Sequence, residues 1–367
     1  MIPLVAPRDT ASSRPLAAGA DPRVRVLICD DSLTVRGAMC RIIESDPALL
    51  LVGRAGNGVE ALRQAAALKP DVLVLAVEMP VMDGLSALPS LLRADPGLKV
   101  LMASALTTRG ADIALSALRA GAADYVPKPS SASEIGAADG FRAELLAKVK
   151  ALGRRRRTPL VPLQRPTARA TPAYPPRVLA IGASTGGPQA LFTLFSSLPR
   201  QFPLPVVVTQ HMPKTFTAML AEHITRLGFM PCAEAADGAV LRPGEALLAP
   251  GERHLLIEPR ADRLVARLSD AAPENFCRPA VDPMLRSLAA ATAGQALAVI
   301  LTGMGHDGLA GSRALVAAGG QVLAQDEASS VVWGMPGAVA QAGLAAEVLP
   351  IASLAARIIA LTMRGRA

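Results

Sequence analysis

Short apolar runs of strand length alternate with amphipathic stretches of helical period along most of this chain. That alternation constrains the fold more than any other feature. In the first half the runs are VRVLICD, LLLVGRA, DVLVLAV, KVLMASA and ADYVPKP, separated by helical patterns such as NGVEALRQAAALK. Five such repeats predict a parallel sheet covered by helices on both faces, because a parallel crossover needs a helix to return the chain. In the second half the strand-like runs are RVLAIG, PVVVTQ, ALLAP, HLLIEP, RLVARLS, LAVILTG and QVLAQDE. Helical stretches there include KTFTAMLAEHITRL and DPMLRSLAAATAG, so this half is also α/β. Residues from about 229 to 270 read as strand-rich without helices, which predicts an antiparallel ribbon.

Between the halves, residues 151–177 hold Arg154, Arg155, Arg156, Arg157, Arg165, Arg169 and Arg177 and no acid. The whole chain carries +8, so these seven arginines leave about +1 for everything else. No basic domain face and no helix-turn-helix pattern remains to bind DNA. With its prolines, this stretch reads as an extended, self-repelling linker; contact with an acidic partner is the alternative. The predicted organisation is a disordered tail over 1–21, a first domain over 22–147, a linker over 148–177 and a second domain over 178–367. A length of 367 residues supports two cores, and a hydrophobic share of 51% supports globular ones.

Cys29, Cys40, Cys232 and Cys277 are scattered with no C-x-x-C, which fits reduced thiols in a cytoplasm rather than disulfides or a zinc site. The N-terminal residues lack the basic start and long apolar stretch of a signal peptide. No charge-free apolar run reaches membrane-spanning length; the nearest is broken by Glu347, Pro350 and Arg357. These features predict a cytoplasmic protein without membrane insertion.

In an open parallel sheet, function gathers at the carboxyl ends of the strands. Ser184 stands at such an end in RVLAIGASTGGPQALFTLF, on a Gly-rich turn between an apolar run and an amphipathic stretch. A serine so placed is a candidate nucleophile with backbone N–H groups beside it; a phosphate-cradling or merely tight turn is the alternative. The chain has four histidines. His223 lies in a helical pattern, His254 starts a strand and His306 is embedded in glycines, whereas His211 directly follows VVVTQ at a strand end. His211 is therefore the candidate base. Asp307, in LTGMGHDG, is the candidate orienting carboxylate; its alternative is a helix N-cap for DGLAGSRALVAAG. The glycines around Met304 let its N–H approach a ligand as an oxyanion donor.

Together, IGASTGGPQAL, TQHMPKTFT, LTGMGHDG, RPAVDPMLRS and QDEASSVVWGMPGAV make the chain resemble the chemotaxis response-regulator methylesterase (CheB) family from about residue 22 onward. The resemblance implies a (βα)5 receiver and a doubly wound, mostly parallel catalytic domain. It implies hydrolysis of glutamyl methyl esters on methyl-accepting chemoreceptors and deamidation of receptor glutamines. It matches Ser184, His211 and Asp307 to the catalytic residues, and the backbone of Thr185 and Met304 to the oxyanion hole. No cofactor is implied for catalysis. A chemotaxis histidine kinase is the partner implied for the receiver.

In the receiver the resemblance matches Asp30 and Asp31 to the magnesium-holding acids, Ser104 to the hydroxyl and Lys128 to the lysine. At the phospho-acceptor position stands Ala76, two residues before Glu78. A methyl group accepts no phosphate, and the loss of one carboxylate weakens magnesium binding. Three readings follow: an active esterase with a receiver deaf to phosphate, an esterase held shut by its receiver until a partner separates them, or a receptor-docking scaffold without turnover.

Overall fold

The computed structural model describes residues 21–105, 107–128, 139–153, 175–228 and 230–363. The expected tail, apart from Asp21, and most of the linker lie outside them. The first domain runs β1 (Val24–Cys29), α1 (Leu33–Glu44), β2 (Leu49–Ala55), α2 (Gly58–Leu68), β3 (Val72–Ala76), α3 (Gly84–Ala94), β4 (Lys99–Ala105), α4 (Thr108–Arg119), β5 (Asp124–Lys128) and α5 (Asp139–Gly153). Its sheet is parallel throughout in the order β2-β1-β3-β4-β5. The carboxyl ends of β1, β3, β4 and β5 therefore meet at one sheet edge. Helix starts follow their local chemistry: Asn57 Oδ1 accepts from Glu60 N–H while Glu60 reaches back to Gly56 N–H, a reciprocal cap on α2.

The expected domain boundary at residue 147 lies within α5, which continues to Gly153. That helix continues because its last turn packs on β1, where a Cβ on Gly153 would stand 2.0 Å from Val24.

The second domain is built on β6 (Val178–Ala183), α6 (Gly187–Ser197), β7 (Val206–Gln210), α7 (Lys214–Arg226), β8 (Cys232–Glu234), β9 (Ala246–Leu248), β10 (His254–Arg260), β11 (Arg263–Ser269), α8 (Val281–Thr292), β12 (Ala296–Ile300), α9 (Leu309–Ala317), β13 (Gln321–Gln325), α10 (Met335–Gln341), β14 (Glu347–Leu349) and α11 (Ile351–Thr362). Seven strands form a parallel sheet in the order β14-β13-β12-β6-β7-β9-β8. β10 and β11 form the expected antiparallel ribbon, while β8 and β9 join the main sheet instead. β7 and β12 flank β6 on opposite sides, so these three strands mark the point where the winding reverses.

The domains share one apolar core. Tyr125 on the edge strand β5 of the first domain stacks on Phe216 of α7 with ring centres 4.2 Å apart and planes 11° apart. Beside them Asp112 of α4 accepts from His223 Nε2 at 2.6 Å and from Arg226 at 3.3 Å. His223 thus serves the domain contact. No helix among the described residues is long and apolar enough to cross a membrane.

Candidate active site

Ser184 follows β6, His211 follows β7 and Asp307 follows β12, so three neighbouring strands deliver them to one edge. The chain leaves β6 through a left-handed Gly186 (φ 75°) into α6, and the backbone strain sits on that glycine rather than on Ser184. The N-terminus of α6 lies directly behind Ser184 and lends the turn a positive field. A Cβ on Gly187 would fall 1.9 Å from Gln210 Oε1 and 2.9 Å from Ala183 Cβ, so a larger residue there would displace Gln210. The β12 loop is equally close: a Cβ on Gly303 would stand 2.8 Å from Ser184 Cβ. This brings the Met304 loop against the serine. Among the described residues, the N–H groups of Thr185 and Met304 have no protein acceptor.

His211 Nε2 lies 2.7 Å from Asp307 Oδ2, and a carboxylate can only accept, so Nε2 carries the proton. Nδ1 faces the Cys277 thiol at 3.3 Å. Among the described residues, Ser184 Oγ has no hydrogen-bond partner; catalytic contacts are often loose before substrate binds. Asp307 is not the cap of α9, whose N-cap is Gly308, with no side-chain cap hydrogen bond. It instead accepts from Val281 N–H at 2.6 Å and Asp282 N–H at 3.1 Å, at the N-terminus of α8. Burial opposes ionisation of Asp307, but the imidazole and these N–H groups outweigh it and lower its pKa. Burial likewise opposes a charge on His211, yet the Asp307 and Cys277 contacts raise its pKa from 6.5 to about 9.

These residues border a cavity of about 760 Å³, whose other wall is receiver helix α5 with Ala143, Glu144, Ala147 and Lys148. His254 is buried away from it, holding Ala280 N–H and Ala272 O, and His306 is exposed on its rim.

At the receiver edge, Asp30 Oδ2 accepts from Lys128 Nζ at 2.8 Å and Oδ1 from Ser32 N–H at 3.1 Å. Ser104 Oγ turns to Gly110 O at 2.8 Å. Ala76 closes β3 fully buried, Asp31 is exposed, and Glu78 points outward to Arg109 at 3.4 Å.

Residues 179–358 match the CheB methylesterase family, and residues 26–138 match the response regulator receiver domain. Protein-glutamate methylesterase/protein-glutamine glutaminase 1 of Paramagnetospirillum magneticum is 48% identical over 376 residues, spanning 94% of this chain and 98% of that one. The Azospirillum brasilense protein of the same description is 51% identical over 361 residues, spanning 91% of each. This chain belongs to the CheB family. The crystal structure of the Thermotoga maritima CheB methylesterase catalytic domain is 38% identical, with a TM-score of 0.50, covering 51% of this chain and 100% of that one.

Four side chains at this CheB site escaped sequence reasoning. Gln210 donates to Ser184 O at 2.9 Å and ties the β6 turn to the β7 end. Asn275 donates to Asp307 Oδ1 at 3.0 Å and to Asp282 Oδ2 at 3.1 Å. Asp282 is held above the usual carboxylate range by burial and by the neighbouring Asp307 charge. Cys277 faces His211, whereas burial pushes the thiols of Cys29 and Cys232 up to about 12. None of these lies at a spacing that marks it; RPAVDPM was a family motif without an assigned chemistry.

Proposed function

We propose that this chain is a cytoplasmic methylesterase that hydrolyses γ-glutamyl methyl esters on chemoreceptors, and deamidates receptor glutamines, through Ser184, His211 and Asp307. The observation that carries this reading is the convergence of the three at adjacent strand ends, with Asp307 occupying Nε2 and leaving Nδ1 to act as base. Nδ1 takes the Ser184 proton as Oγ attacks the ester carbonyl, and the Cys277 thiol yields its contact. The N–H groups of Thr185 and Met304 hold the oxyanion, each contributing about 3 kcal/mol to the transition state. His211 returns the proton to the departing methoxide, giving methanol, or to the leaving amide nitrogen of glutamine, giving ammonia. Water then loses a proton to Nδ1 as it attacks the acyl-enzyme, and that proton passes to Ser184 Oγ as the bond to it breaks and the glutamate side chain is freed.

The base must be neutral to act, and its pKa of about 9 in the resting enzyme is above the ordinary 6.5. The methanol-release kcat/KM should therefore climb with pH and level off past about 9, rather than level off near 7. A plateau reached by pH 7 would show that the Asp307 and Cys277 contacts do not hold the base protonated in solution.

The receiver reads as deaf to phosphate because Ala76 offers no acceptor. Magnesium would be held only weakly there: Asp30 Oδ2 is paired with Lys128, Asp31 is exposed, and Ala76 supplies no further carboxylate. The receiver still forms one wall of the cavity, so a partner that parts the domains is the route to a faster enzyme. The test is methanol release from methylated receptor by the full chain, with and without acetyl phosphate. Equal, catalytic rates are expected. A rate that rises with phosphodonor would overturn the deaf receiver; no release in either condition would favour a receptor-docking scaffold. Ala76→Asp should restore hydroxylamine-sensitive labelling if the Asp30–Lys128 edge is otherwise competent.

A further inference from the structure

Among the described residues, Phe276 is the only fully exposed aromatic side chain, with a relative exposure of 103%. The chain has only seven phenylalanines, so its placement outside both cores calls for a cause. It stands in the tight turn Glu274–Cys277, closed by backbone bonds of 3.1 Å and 2.8 Å between the end residues. Asn275 (φ 51°) and Phe276 (φ 63°) are both left-handed. Asparagine tolerates that region, but for a bulky side chain it is strained, and glycine is the unstrained choice.

The turn is anchored at every other residue. Glu274 pairs with Arg286 at 2.5 Å, Asn275 holds Asp307 and Asp282, and Cys277 faces His211. The ring is thus displayed rigidly, one residue from contacts with both catalytic partners. It lines the catalytic cavity with Met304, itself 37% exposed, opposite the small side chains of Ala143 and Ala147 on α5. Strain held at a site by over-determined anchors points to use, and this ring contributes no core packing. A glutamyl ester on a protein must bring its neighbouring side chains to this rim while the ester enters below.

We propose that Phe276 is a specificity-determining residue that, with Met304, packs against an apolar side chain flanking the methylated glutamate on the receptor. This rests on the esterase reading above for the identity of the substrate. A rigid aromatic at the mouth of a site binds without loss of rotamer freedom and buries a large apolar area.

The test separates recognition from chemistry. Binding of a methylated receptor fragment is measured with Ser184→Ala and with Ser184→Ala/Phe276→Gly. Glycine removes the ring and relaxes the left-handed turn, so the thermal midpoint should hold or rise. The expected result is a Kd weaker by about 10- to 100-fold, the worth of one buried phenyl ring. In the Ser184 enzyme, Phe276→Gly should raise KM by a similar factor with kcat within about threefold, and Phe276→Leu should recover most of the loss. An unchanged Kd would overturn the inference whether or not the parent is an esterase. A fall in kcat with unchanged KM would also overturn it, because the turn would then act through Asn275 and Cys277 on the triad alone.

Discussion

Ser184→Ala should abolish methyl release from methylated receptor while leaving the fold intact. Loss of the nucleophile from a unit of this kind costs several orders of magnitude in kcat, on the order of 10⁴-fold or more. Stability should change by less than about 0.5 kcal/mol, because Ser184 is only half-buried and its Oγ has no hydrogen-bond partner to lose among the described residues. The turn itself is held by backbone: Ser184 N–H donates to Thr302 O at 3.0 Å, and Ser184 O accepts from Gly187 N–H at 2.7 Å. Methanol release and far-UV circular dichroism on the same preparation check both halves. A folded variant that turns over within tenfold of the parent would remove Ser184 from the chemistry.

His211→Ala should come close to the serine variant, since base and nucleophile act as one unit. Asp307→Asn should retain more activity than either, and it carries a second signature. Asp307 Oδ2 accepts from both His211 and Val281 N–H, while Oδ1 takes Asp282 N–H, Gly308 N–H and Asn275. An amide has one accepting oxygen, so a buried N–H loses its partner and a destabilisation of about 1–3 kcal/mol follows. A fall of several degrees in Tm should therefore accompany the loss of rate. A variant with lowered Tm and a nearly normal kcat would show that Asp307 only caps α8. If His254→Ala or His306→Ala were the substitution that ended turnover, His211 would be the wrong base.

Much of the fold was legible because burial leaves a periodic trace. β3, β7 and β12 are buried along their whole length and read as unbroken apolar runs. β8 and β14 were not legible, because neither buries enough of its three residues to leave an apolar run, whereas the equally short β9 does. The extent of α5 was not legible for a different reason. Charge and proline mark where a chain leaves a domain, but the last turns of this helix are held by packing on β1.

The candidate site was legible where it lies at strand ends, since chain direction alone sends Ser184, His211 and Asp307 to one edge of a parallel sheet. The sequence by itself thus determined two α/β domains, the edge on which chemistry is possible, and an alanine where an acceptor carboxylate is expected. Only the tertiary structure decided which imidazole nitrogen meets Asp307, that Asp307 caps α8 rather than the helix it precedes, and that Cys277 and Asn275 sit against the pair. It alone also made receiver helix α5 a wall of the catalytic cavity and set Phe276 on its rim. The physical reason is range. Burial and turn chemistry act through neighbours in sequence, whereas His211 and Asp307 are 96 residues apart and Lys128 and Asp30 are 98 apart. Contacts of that separation exist only after the sheets have formed.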